Sequence, residues 1–213
     1  MKPMIWMWSD PHFWHGGSNG GIIAFSKRPY ATIEDMNKDL IRRHNAIVGK
    51  DDLVICFGDF GMGPVERLKE IFDQLNGRQV LIRGNHDRGI ISMLSMGFAM
   101  VVDECSMELD GNRYYMSHRP HSVLPKNCKG CFHGHVHLAD PEALKRAVER
   151  RSDRLSNFPG EELIEIPPFN LNICAEVIGY APISYRDAIT RLDKQLAKAS
   201  KKNQNKEEIF NNS

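Results

Sequence analysis

The sequence predicts an α/β layered domain, and three observations predict it. Short apolar runs of single-strand length alternate with segments of helical periodicity. Capping residues mark helix starts between those runs. Several runs also stop at a polar cluster, as strands of an open α/β sheet do where they deliver groups to a site.

Taken in order, "MIWMW" (4–8) is the first apolar run. Thr32 with Asp35 then opens a helix that places Ile33, Met36, Leu40, His44 and Ile47 on one stripe. "LVICF" (53–57) is the next strand, and Pro64 suits a first helical position ahead of Val65, Leu68, Ile71, Phe72 and Leu75. "QVLIR" (79–83) follows. The stretch Cys105–Ser117, broken by "DGN" at 110–112, reads as an antiparallel hairpin ending in "YYMS" (114–117). "LNICAEVIG" (171–179) reads as a last strand, and Ser184 with Asp187 opens a helix carrying Ile189, Leu192 and Leu196.

A chain of 213 residues is long enough for one well-buried domain, read here as residues 1–199, with 200–213 a polar, disordered tail. Residues 141–155 read as a basic amphipathic helical insertion. Leu144, Val148 and Leu155 share one side and Lys145, Arg146, Arg150, Arg151 and Arg154 the other. Glu142, Glu149 and Asp153 dilute that charge, which favours a solvated helix over a face for nucleic acid. With 28 basic and 27 acidic residues, net charge does not hold this protein to nucleic acid, though a local basic face stays open. Five cysteines do not form a secreted disulfide framework. The N-terminal apolar run is too short for a signal peptide and nothing is long enough to span a membrane, so the expectation is a cytoplasmic protein with no membrane partner.

The chemistry sits where the runs end. "SDPHFWH" supplies Asp10 and His12, and "GDFG" supplies Asp59. "RGNHD" supplies Asn85, His86 and Asp87, "YYMSH" ends at His118, and "CKGCFHGHVHL" (128–138) supplies His133, His135 and His137. Each cluster alone is ordinary turn or core chemistry; all of them, in order and after apolar runs, point to a shared site. His-x-His is too tight for a zinc finger, so the last stretch is half of a site. Cys128 and Cys131 read as buried thiols, with a redox pair or extra metal capture as the other readings.

The ordered set "DPH … GD … GNHD … SH … GHVH" resembles the calcineurin-like metallophosphoesterase superfamily, in its small bacterial and phage form. The resemblance runs from Asp10 to His137, and "LNICAEVIGYAPIS" (171–184) is similar to the closing segment of those members. It implies two mixed β-sheets packed as a sandwich flanked by helices, with two metal ions at the strand ends. By that resemblance Asp10, His12 and His137 hold the first metal, Asn85, His118 and His135 the second, and Asp59 bridges them. Mixed oxygen and nitrogen donors suit Mn²⁺, with Fe, Zn²⁺ or Ni²⁺ as alternatives, over Ca²⁺ or Mg²⁺. The implied reaction is in-line attack on phosphorus by a metal-activated hydroxide, without a covalent intermediate.

His86 is assigned to the leaving group, and Asp87 either orients its imidazole or caps a helix. Arg83 and Arg119 are candidate phosphate contacts and His15 a candidate substrate contact. Two departures stand out: "GDFGMG" lacks the aspartate that many members carry there, and Trp14 occupies a glycine position ahead of "GGSNGG" (16–21). The substrate expected is a phosphodiester, of nucleotide type by analogy. A phosphomonoesterase, a nuclease and a non-catalytic scaffold are the other readings, and oligomeric state is not legible.

Overall fold

The computed structural model describes residues 3–137 and 166–211. The basic helix expected at 141–155 lies outside the described residues. Two sheets carry the architecture. The first has the order β4-β3-β2-β1-β9 and the second β5-β6-β7-β8. In the first, β1 (Ile5–Trp8), β2 (Leu53–Cys56), β3 (Arg78–Ile82) and β4 (Met100–Val102) are parallel, and β9 (Ile183–Ser184) joins β1 antiparallel. In the second, β5 (Glu104–Leu109) pairs antiparallel with β6 (Asn112–Ser117), while β6, β7 (Gly130–His133) and β8 (Asn170–Asn172) run parallel. Both sheets are mixed, as the resemblance implies.

Strand period explains the unbroken apolar runs. Along β1 and β2 successive side chains face opposite ways, so Trp8, Val54 and Cys56 enter one core while Met7, Ile55 and Phe57 enter the other. The first core is closed by Met36 and Leu40 of α2 (Ile33–Ile47), Leu68 and Ile71 of α3 (Val65–Phe72), and Met93 and Met96 of α4 (Ile90–Met96). The short α1 (Gly21–Phe25) adds Ile22. The second core lies between the sheets, where Tyr114, Met116 and Phe132 meet Met7, Ile55 and Phe57. No helix among the described residues is long and apolar enough to cross a membrane.

Local chemistry accounts for the element ends. Thr32 Oγ1 accepts from Asp35 N at 3.0 Å, capping α2. Asp110 (φ 47°) and Gly111 (φ 75°) make the two-residue hairpin turn between β5 and β6, as Asp-Gly favours. Pro64 precedes α3 as its N-cap rather than starting it. The run 171–179 is a strand only to Asn172; Ala175–Ile178 then form α5, ended by Gly179 at φ 87°. The last helix, α6, runs Tyr185–Asn211, so most of the expected disordered tail continues it. Ser184 and Asp187 cap it reciprocally, and Lys, Gln and Glu propagate an existing helix at little cost.

His44 of α2 is fully buried, its ring 5.1 Å from that of Trp8, with only the Asn45 side chain as a hydrogen-bond partner. Burial pushes its pKa down to about 4. Between about pH 6.5 and pH 4 the unfolded chain takes up a proton that the folded chain refuses. His44 therefore costs stability as pH falls through that window, to a total of about 3 kcal/mol, and nothing further below it. Denaturant midpoints of wild type and His44→Phe should converge at neutral pH and separate at pH 4.5, the wild type losing more. Parallel curves would remove His44 from the acid response.

Candidate metal centre

Because β1, β2 and β3 are parallel, their carboxyl ends share one edge of the first sheet, and the loops beyond them converge. Those beyond β6 and β7 reach the same place from the second sheet. His118 Nδ1 donates to Phe57 O of the β2 end at 2.8 Å, and Gly134 N donates to His118 O at 3.0 Å. His135 N donates to Asp10 Oδ2 at 2.9 Å.

Among the described residues the candidate donors fall in three sets, of which one, His137 with Cys174 and Glu176, shares its histidine with another. Of the remaining two, Asp10, His12 and His137 form the first and Asp59, His118 and His135 the second, the donor atoms of each within 4.8 Å of one another. In the first, His12 Nε2 and His137 Nε2 stand 3.2 Å apart, at 3.6 and 3.4 Å from Asp10 Oδ1. In the second, His118 Nε2 is 3.1 Å from Asn85 Oδ1 and 3.5 Å from Asp59 Oδ2. Asp59 Oδ2 also lies 3.6 Å from His12 Nε2, so one oxygen stands between the sets.

The two oxygens of Asp10 are treated differently. Oδ2 accepts from Ser9 Oγ (2.5 Å), Cys174 Sγ (3.2 Å) and His135 N (2.9 Å). Oδ1 is buried with no hydrogen-bond partner and faces the two imidazole nitrogens. A bare carboxylate oxygen inside a protein is costly unless a cation meets it. Together with the imidazole nitrogens around it, this donor set fits a divalent transition metal. Burial would push the Asp10 carboxyl up, but His12, His137 and His118 hold it well below the ordinary carboxylate range. Burial works against the charged form of His118, yet Asp59 and Asp10 carry its pKa up to about 9. Both shifts express one demand, for positive charge between the acids.

The backbone is bent to reach this geometry. Asp10, His12, Asp59 and His135 have φ of 57°, 53°, 52° and 66°, the left-handed region that non-glycine residues seldom adopt. A β-carbon at Gly134 would overlap Ser9 Oγ and Asp10 Oδ2, and one at Gly84 would overlap Asp59 Oδ1. His133, His135 and His137 do not share a face. His133 stays in β7, buried, with Nδ1 donating to Gly134 O at 2.7 Å. The left-handed turn at His135 then sends His135 and His137 to different sets.

Other sequence-derived candidates fall in several places. His86 is exposed, its backbone N donates to Asp59 Oδ1 at 2.8 Å, and its ring lies 5.5 Å from those of His12 and His15. Asp87 follows neither sequence reading: its carboxylate accepts from the backbone N of Asp59, Phe60 and Gly84 at 2.7–2.8 Å, not from an imidazole, and the N-cap of α4 is Gly89. It ties the β2 and β3 loops together. Arg83 is engaged by Asp103 at 2.7 Å. Arg119 is at the site, with Nη1 2.6 Å from His135 Nε2 and Nη2 3.2 Å from Asn85 Oδ1. His15 sits against the first set, its Nδ1 2.8 Å from His12 Nδ1, and burial pushes its pKa down to about 4. Cys128 and Cys131 are free thiols, and burial raises Cys131 to about 11, which leaves little thiolate for redox chemistry.

Beyond Ser9 and Cys174, which hold Asp10 Oδ2, two further residues among those described went unmarked in the sequence reading. Glu176 Oε1 is 3.1 Å from His137 Nδ1, and the buried Arg28 meets the same oxygen at 2.7–2.8 Å. Only the similarity of the 171–184 segment to a family ending pointed toward Glu176, and nothing local marks Arg28.

A sequence model of the family described as calcineurin-like phosphoesterase matches residues 4–187. The uncharacterized protein MJ1445 of Methanocaldococcus jannaschii is 30% identical over 191 residues, covering 88% of this chain and 90% of that protein. The solved structure of AQ665 from Aquifex aeolicus, a protein of unknown function, overlays with a TM-score of 0.64 at 23% identity, across 90% of this chain and 100% of that one. A novel archaeal phosphodiesterase overlays with a TM-score of 0.38 at 19% identity, across 63% of this chain and 73% of that one.

Proposed function

The chain belongs to the calcineurin-like phosphoesterase family and is a hydrolase of phosphoester bonds; on that premise we propose that it cleaves phosphodiesters of nucleotide type with two divalent ions. Asp10, His12 and His137 would hold one ion, Asn85, His118 and His135 the other, with Asp59 shared and Mn²⁺ the metal of choice. The placement of Asp59 Oδ2, 3.6 Å from His12 Nε2 and 3.5 Å from His118 Nε2, carries this reading. Two ions held by these residues would supply charge to polarise a phosphoryl oxygen and to acidify a water.

The chain's own groups do the rest. His118 Nδ1 donates its N–H to Phe57 O, which leaves the Nε2 lone pair to face the site. His86, anchored to Asp59 through its backbone, presents an exposed imidazole able to protonate a departing alkoxide. Arg119 is the exposed cation in contact with the donors and is suited to one phosphoryl oxygen. Arg83 is engaged by Asp103 and Arg28 is buried. Among the described residues one exposed guanidinium touches the donors, which suits the single charge of a diester. A cytoplasmic location belongs to the same reading, supported by five cysteines that are all free thiols.

The test is turnover after the protein is stripped of metal and reloaded with Mn²⁺, on bis(4-nitrophenyl) phosphate and on 4-nitrophenyl phosphate. Metal-dependent cleavage that favours the diester is expected. A monoester preference would overturn the diester reading, and turnover indifferent to metal would overturn the two-ion reading.

A further inference from the structure

Arg28 is 4% exposed, an unusual place for a guanidinium, and all of its donors are used. Nε and Nη2 meet Glu176 Oε1 at 2.8 and 2.7 Å, Nη1 donates to Pro11 O at 2.8 Å and to Met36 Sδ at 3.4 Å, and Nη2 donates to Asp10 O at 2.6 Å. The guanidinium thus grips the backbone of Asp10 and Pro11, in the loop that carries Asp10 and His12. It also grips Glu176, 148 residues further along the chain. Glu176 Oε1 in turn faces His137 Nδ1 at 3.1 Å. A carboxylate only accepts hydrogen bonds, so Nδ1 carries the proton, and Nε2, turned toward Asp10 Oδ1, is the nitrogen left to offer its lone pair to a metal.

We propose that the buried Arg28–Glu176 pair is a positioning device for one metal site, locking the Asp10–His12 loop and the His137 imidazole in metal-binding geometry while leaving the other site untouched. The inference rests on the two-ion reading above and adds residues that the reading does not need. The asymmetry follows from the contacts on each side. Apart from a contact to Met36 Sδ, the links from the Arg28 side chain lead to the Asp10–His12–His137 set, whereas His118 is oriented by Phe57 O and His135 is met by Arg119. Lysine at position 28 would not substitute, because one ammonium cannot span three acceptors in a fixed fork.

The probe is Co²⁺ alone, titrated into stripped protein and followed by its visible absorption, with thermal unfolding of the stripped protein alongside. Wild type should bind two ions. Glu176→Ala should weaken one of them about 10–100-fold and alter its absorption band, leaving the other unchanged. Glu176→Gln keeps an acceptor for His137 Nδ1 and should fall between wild type and Glu176→Ala. Glu176→Ala strands a buried cation and risks misfolding, so the double variant Arg28→Met/Glu176→Leu removes the pair as a unit. It should fold and show the same one-site loss. Two wild-type affinities in the double variant would overturn the proposal. So would both affinities falling together with the melting temperature, the mark of a merely structural pair. Wild type that binds no Co²⁺ would instead overturn the two-ion reading itself, and this inference with it.

Discussion

Asp59→Asn is expected to leave the purified protein with at most one metal ion per chain and to lower diester turnover by about 10³-fold or more. The reason is local. Asp59 Oδ1 is committed to the backbone N of His86, and Oδ2 alone faces both imidazole sets. Asparagine can keep the first contact only by turning its amide N–H groups toward His12 and His118, where a lone pair is needed. The stripped variant should be somewhat less stable than the stripped wild type, because the Asp59 carboxylate helps hold the His118 imidazole charged. Metal-to-protein ratio after desalting, read beside melting temperature, separates loss of the bridge from loss of fold. Two ions per chain in Asp59→Asn would end the shared-carboxylate assignment.

His86→Ala should behave in the opposite way, keeping both ions and losing about 10²–10⁴-fold in turnover. Its ring touches neither donor set as a ligand, and its backbone contact to Asp59 survives truncation. If the imidazole protonates the leaving group, the loss must depend on that group. A nitrophenolate departs almost without help, so the variant should lose least on an activated aryl diester and most on an alkyl diester. Equal losses on both would move His86 from proton transfer to phosphate positioning. Full activity of metal-loaded His86→Ala would remove it from the mechanism.

Much of the fold was legible because its signals are local. The Thr32 and Ser184 caps, the Asp110-Gly111 turn and the apolar runs of β1, β2 and β3 act within a few residues, and they appear in the sequence as they do in space. Ordered polar clusters after those runs were enough to assemble the candidate donors, helped by the family resemblance. What stayed hidden was long-range or tertiary. Asp87 looked like a partner for its neighbour His86, but three backbone N–H groups from two loops compete for it and win. Arg83 sits one residue past β3 and looked available for phosphate, yet Asp103 takes it. Arg28 and Glu176 meet across most of the chain, which no periodicity records. The short α5 after β8 was read as strand because an apolar stretch bounded by glycine does not distinguish the two.

The left-handed residues at the site bear on how this protein would respond to selection. Asp10, His12, Asp59 and His135 each hold a backbone conformation that costs a non-glycine residue about 1–2 kcal/mol, close to a site that already crowds carboxylates together. Directed evolution for heat resistance alone would find its easiest gains here, by installing glycine or asparagine, and would dismantle the donor set before touching either core. A screen for robust variants should therefore score metal retention alongside melting temperature, since at these positions the two pull in opposite directions.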